Sequence, residues 1–509
     1  MRYIIDAAFL QAQLLNRTLV LPSFVYARGC EYELQACADY APMVNKNDAI
    51  GWDQWRNLPH DQQMGWRLPL GLMLNVTRMR ALHPVILVSD YLRLHGLPES
   101  AEASTAQWQR ETYHANATAR VFGASSDIEA FISPATATEP SLFVIENNWY
   151  DPHGVARVDA LPDPMKQRGG WTPAGFDADT GRRGSWTRPV DTDIERHLSR
   201  YLVTDNPLMS LDAARRALRS TAAKDEYDIE SDGGLERALN AHGYEIIYTY
   251  DSVRNMDLAK TVTEPIRQVV PRASIRAFRD EYIDRDEDVV LLAGETHNGR
   301  KAGALRFTSA AARDDFTRMV LHHIVPVDRV LALAEDLASR MSNLTEGRLW
   351  MGAHMRRGDF VLEGWVLMPS VEDHVNRVRM RLDGGRRQLE TLENPHTYDV
   401  PDVELNPDLR TRSPPVPDDP FYVATDERSP AGLATIRAHG AVLLPDLLTT
   451  DDRRAFGWPL MLTDVRSVLE QELLAHSAYF YAHSKSSVSG GTVNMRAARG
   501  ADPRTAWIE

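Results

Sequence analysis

Apolar residues at Ile5, Ala8, Phe9, Ala12 and Leu15 recur at helical spacing, and the run from Thr18 to Pro22 then reads as a short buried strand. A helix followed by a strand predicts an α/β chain. Further apolar runs predict strands at Val85–Val88, Leu142–Ile145, Glu245–Tyr248 and Val289–Leu292, separated by stretches with helical patterns, which together suggest a parallel, doubly wound sheet. Between about Asp151 and Val190 the chain is rich in Gly, Pro, Arg, Trp and Asp without a period, so an irregular excursion is expected there. From Asp314 to Met341 helical spacing returns, broken at Pro326.

The second half alternates more regularly. Strands are predicted at 349–355, 421–425, 441–444 and 479–482, and helices at about 371–391, 431–439 and 464–478. A Pro-rich stretch from Asn394 to Pro420 reads as a surface loop, and no internal repeat is present. The expected organisation is a Rossmann-like domain over 1–335, carrying an irregular insertion at about 95–235, followed by a second Rossmann-like domain over 336–509.

Composition narrows the class. A chain of 509 residues with 43% hydrophobic positions can bury large cores, and a net charge of −14 argues against a general nucleic-acid binder. No run approaches the ~20 apolar residues of a membrane span, and Asp6 interrupts any apolar leader, so the chain reads as soluble. Met1 runs directly into an amphipathic helix, from which the chain is expected to begin inside a domain. The two cysteines, Cys30 and Cys37, are too few for a disulfide scaffold or a thiolate metal site; they form either one short-loop disulfide, the reading taken here, or two buried thiols. Of four Asn-x-Thr triplets, at Asn16, Asn75, Asn116 and Asn343, the one at Asn116 lies in the most loop-like sequence.

Three places put polar groups directly after an apolar strand: His354, Arg356, Arg357 and Asp359; Asp426; and the run Ser484 to Gly491, which precedes a helical stretch containing Asn494 and Arg496. In open α/β sheets that edge receives ligands. Paired guanidinium groups there suit a diphosphate, and small hydroxyl residues opening a helix present N–H groups to an anion. Each motif also has a plainer reading. The arginines could be a structural pair held by Asp359, His354 a core histidine, Asp426 a cap for the helix starting near Pro430, and the Ser-rich run a capped turn.

With these residues in view, the chain resembles the GDP-fucose protein O-fucosyltransferase superfamily and its relatives among the α1,6-fucosyltransferases. The likeness rests on His-x-Arg-Arg-x-Asp from His354 to Asp359, Ala424-Thr425-Asp426, Ser486 and Ser487 followed by Arg496, and Leu-Asn-Arg-Thr-Leu-Val-Leu-Pro from Leu15 to Pro22. It implies a GT-B architecture, two Rossmann-like domains facing a cleft, with the insertion on the acceptor side. The implied activity is inverting, metal-independent transfer of fucose from GDP-fucose to a protein or glycan hydroxyl, with no cofactor. Arg356 would grip the β-phosphate, Arg357 and Asp359 would hold the loop, His354 and Asp426 would contact guanosine, and Ser486 and Ser487 the diphosphate. The resemblance also implies the lumen of the secretory pathway, with a membrane engaged only through a missing amino-terminal anchor, and the net charge leaves no nucleic-acid partner expected.

Two departures stand out. The family's Gly-rich, Asn-containing loop before the first helix is not in the sequence, and Val488 stands where many members carry an aromatic residue. A nucleotide-sugar-binding pseudoenzyme is therefore one alternative. Another is a metal-dependent glycosyltransferase using Asp177 and Asp179, Asp191 and Asp193, or Asp284 and Asp286. Glu146 and Glu295 are weighed as general bases and neither is assigned.

Overall fold

The computed structural model describes residues 2–45, 63–102, 119–122, 140–147, 154–177, 182–188, 192–201, 206–254, 261–294, 306–362, 364–366 and 368–509. The chain is mixed α/β and divides into two compact units. One comprises residues 1–19, 110–256 and 264–316, the other 20–109, 257–263 and 317–509. The sequence places a boundary at 335/336, whereas the observed grouping assigns residues 20–109 to the unit that holds the carboxyl-terminal sheet.

In the first unit the helix Arg2–Leu15 buries Ile5, Phe9 and Leu15 as its spacing predicts, and Leu15 packs with Phe143, Ile145, Phe278 and Tyr282. The predicted strands at 142 and 289 pair in parallel, extended to Leu142–Asn147 and Val289–Gly294. Tyr244–Tyr250 departs from the expected single parallel sheet. It pairs antiparallel with Pro265–Pro271, because a short return needs no crossover helix. Among the described residues, the strands before 335 thus form several small sheets, parallel and antiparallel, in place of one doubly wound sheet.

The stretch expected to be irregular is also more ordered than its composition suggests. The helix Asp163–Gly169 ends on Gly170 at φ +63, a left-handed backbone that glycine adopts without strain. The strands Trp171–Asp177 and Arg182–Trp186 then pair antiparallel, with the Trp171 and Trp186 rings edge to face at 4.8 Å. The Gly and Trp residues that obscured the period are those that hold the segment.

In the second unit a five-stranded, fully parallel sheet follows the helix α1 (Asp328–Leu344). Its strands are β1 (Met351–Met355), β2 (Phe421–Thr425), β3 (Ala441–Val442), β4 (Tyr479–Ala482) and β5 (Ala506–Ile508), arranged in the order 3-2-1-4-5. The helices are α2 (Val371–Glu390), α3 (Pro430–Ala438), α4 (Thr463–Ala475) and α5 (Ser487–Ala498). Residues 351, 353 and 355 share one face of β1, and Met351, Ala353 and Met355 pack there with Val375, Val378 and Leu382 of α2. The opposite face meets α4, where a Cβ on Gly352 would lie 2.6 Å from Leu474 and Tyr422 donates to Glu470 at 3.0 Å.

Every strand and helix predicted after residue 348 is present within a few residues; β5 is the added strand, and short helices such as Asp408–Thr411 and Thr450–Phe456 are added beside it. The chain builds outward from β1 through β2 to β3, then crosses back to place β4 and β5 on the other side of β1. The direction of winding therefore reverses between β1 and β4. In open α/β sheets ligands are received at such a switch point, at the carboxyl ends of the two strands.

Candidate functional site

Two of the three predicted motifs flank that reversal, since His354 to Gly358 leave β1 and His483 to Ser486 leave β4; the third, Thr425 to Glu427, leaves the adjacent β2. His354 lies in register with Ala424 on one neighbour and Ala482 on the other, so the three ends are level. The Thr425 hydroxyl donates to the Met355 carbonyl at 2.8 Å and ties the first two ends together.

The two arginines divide their labour. Arg357 is buried: Nε donates to Glu427 at 2.9 Å, and the terminal nitrogens donate to the carbonyls of Met368, Pro369 and Ser370 at 2.8–3.3 Å. Its fork is committed to the loop that leads into α2. Glu427 completes the clamp: burial alone would raise its carboxyl, but hydrogen bonds from Ser429 and Arg357 outweigh this and hold it below the usual range. Arg356 keeps 24% of its side chain exposed, pairs with Asp426 and lies over the Phe360 ring at 5.0 Å. Asp426 also accepts the Arg357 backbone N–H at 2.7 Å. Gly358 makes room for this junction, since a Cβ there would stand 2.3 Å from Asp426 Oδ2. The Asp359 side chain lies outside the described residues, so Asp426 and Glu427 are the described carboxylates of the motif.

The plainer reading of Asp426 as a helix cap does not hold. Ser429 caps α3, accepting from the Gly432 N–H at 3.0 Å. Asp426 instead orients a guanidinium. An anion arriving at Arg356 meets a cation already fixed by a carboxylate and an aromatic ring, so little reorganisation remains to be done on binding.

Beneath the arginines lie three imidazoles, of which only His354 is singled out by the sequence. Burial, reinforced by Arg356, His374 and His483, pushes His354 down to about 3. Burial, then Arg357, His483 and Arg377, takes His374 on α2 to about 4. His483 is lowered by burial and by Lys485, and its Nδ1 accepts the Lys485 N–H at 2.9 Å. All three are neutral near pH 7, which leaves positive charge at this end of β1 to the arginines. His354 and His374 have no spacing signal linking them; only the fold brings a strand and a helix start together. Among the described residues, no group of three or more His, Cys, Asp or Glu is placed to hold a metal ion.

Ser486 is buried at the start of α5 and Ser487 is exposed as its first residue. The loop is held by Ser489, whose hydroxyl donates to the His483 carbonyl at 2.6 Å. Arg496, grouped with the serines by sequence, is fully buried on the far side of α5, where it donates to Ser477, Ala478 and Thr505. It fastens the helix to β4 and the approach to β5 and does not reach the switch point.

The remaining predicted positions lie elsewhere. Cys30 and Cys37 form a disulfide. Asn116, Glu295, Asp179 and Asp191 lie outside the described residues, as do the side chains of Glu146 and Asp177. Asp284 and Asp286 are exposed, precede the amino end of the strand Val289–Gly294, and Asp284 pairs with Arg183. No helix among the described residues is long and apolar enough to cross a membrane.

No family model matches the chain, and no curated protein does. Among solved structures it is similar to POFUT1 in complex with GDP-fucose, at 9% identity and a TM-score of 0.32 over 99% of this chain and 92% of that one. A second crystal form of that complex gives 9% and 0.33 over 99% and 93%, and POFUT1 in complex with GDP gives 10% and 0.31 over the same shares.

Proposed function

We propose that the carboxyl-terminal sheet binds the diphosphate of a GDP-sugar and that the chain transfers fucose from GDP-fucose to a hydroxyl of a protein or glycan, with inversion and without a metal. The observation that carries this reading is the placement of Arg356 at the switch point of a parallel sheet, part-exposed, oriented by Asp426, and beside a second arginine most of whose donors are already used. In the proposed role Arg356 neutralises the charge that develops on departing GDP, and Arg357 with Glu427 keeps the loop in place. Ser486 and Ser487 offer the amino end of α5 to the same diphosphate. His354 and Asp426 would lie against the nucleoside side, within a GT-B arrangement in which this sheet is the donor half.

The test is hydrolysis of GDP-fucose by the purified chain, with EDTA and with added manganese, in wild type and Arg356→Ala. Hydrolysis that survives EDTA and falls by at least a hundredfold in the variant supports the reading. Hydrolysis that requires manganese contradicts its metal-independent form, and hydrolysis insensitive to Arg356 removes its central residue.

A further inference from the structure

Phe360 joins the loops that leave β1 and β4. Its ring carries the Arg356 guanidinium at 5.0 Å, meets the His483 ring edge to face at 6.1 Å, and meets the Trp365 ring edge to face at 5.5 Å. Phe360 itself is 7% exposed, whereas Trp365 is 46% exposed. Its position is fixed twice, through the ring contact and through a hydrogen bond from His483 to its backbone. A large indole held in place yet left half in water is an available stacking surface, one ring removed from the cation assigned to the diphosphate.

We infer that Trp365 is the stacking platform for the nucleobase of the donor, on the assumption that Arg356 holds the diphosphate. The opposite loop offers no such surface, because Val488 is aliphatic and Ser486 and Ser487 are small. A base has a flat π-face and gains on the order of 1–3 kcal/mol from an aromatic partner, while a hydrated phosphate gains nothing from an indole. Trp365 therefore discriminates a nucleotide from a bare diphosphate, and the arginine does not.

The experiment compares GDP, GDP-fucose and inorganic pyrophosphate on wild type, Trp365→Ala, Trp365→Phe and Arg356→Ala, with pyrophosphate read by displacement of GDP. The expected result is a loss of roughly tenfold or more in affinity for GDP and GDP-fucose alike in Trp365→Ala, unchanged pyrophosphate affinity, and substantial recovery in Trp365→Phe. Unchanged GDP affinity overturns the inference, as does an equal loss for pyrophosphate, which marks a loop effect, or a loss confined to GDP-fucose, which places the ring against the sugar. If Arg356→Ala abolishes GDP binding while Trp365→Ala leaves it intact, only this inference fails. If wild type binds none of the three, the proposed function fails with it.

Discussion

Arg356 and Arg357 are adjacent in sequence and opposite in environment, so their removal should be felt in different measurements. Arg357→Ala leaves Glu427 without its guanidinium and three loop carbonyls without a donor, and should cost about 3 kcal/mol in denaturant unfolding. Arg356→Ala, at a part-exposed position, should cost about 1 kcal/mol or less while removing most of the affinity for GDP. The strand-end position of the pair was legible because an apolar run stops there. That Arg357 would hold the loop came only from the resemblance, and its partners were not legible, since Glu427 and the loop carbonyls reach it only through the fold. The imidazoles make a second prediction. His374 has a folded value of about 4 against 6.5 unfolded, so between those pH values the unfolded chain binds the extra proton and stability falls as pH falls. His374→Leu should flatten the wild-type pH dependence across that window by on the order of 1 kcal/mol per pH unit, as read from urea midpoints at pH 7 and pH 5. An unchanged slope would place the charge penalty elsewhere.

At the scale of elements, close approach decides what the sheet accepts. Gly385 sits where α2 crosses β4, and a Cβ there would stand 2.3 Å from the Tyr479 ring. Gly385→Ala should destabilise by about 1–3 kcal/mol despite its better helix propensity, and thermal unfolding would show the sign. Arg496→Met should be costlier still, because Ser477, Ala478 and Thr505 lose a buried donor together. The strands β1, β2 and β4 were readable as buried apolar runs, whereas β5 was not. Ala506–Ile508 has three residues and an exposed Trp507, and only pairing with β4 makes it a strand. The hairpin from Trp171 to Trp186 escaped for a related reason: a contact between two tryptophans across strands leaves no local period.

At the scale of the whole molecule, the second unit is assembled from distant stretches of chain, and the disulfide loop shows how. Glu31 pairs with Arg453 and Arg466, its N–H donates to the Met461 carbonyl at 2.8 Å, and Thr463 donates to the Gly29 carbonyl at 2.9 Å. A segment placed by sequence in an amino-terminal domain is thereby fastened to the helices that precede β4. Such pairings join residues far apart in the chain, which is why the expected boundary at 335/336 differs from the observed grouping. Cys30→Ser with Cys37→Ser should lower stability by about 2 kcal/mol through loss of loop restraint, seen as a matching drop in melting temperature for the variant and for reduced wild type. The central claim, that the switch-point arginine of this unit receives a diphosphate, is tested most directly by calorimetric titration of GDP into wild type and Arg356→Ala without metal. Saturable binding in wild type that weakens by at least a hundredfold in the variant is the predicted result; equal binding by both proteins, or none by wild type, would contradict it.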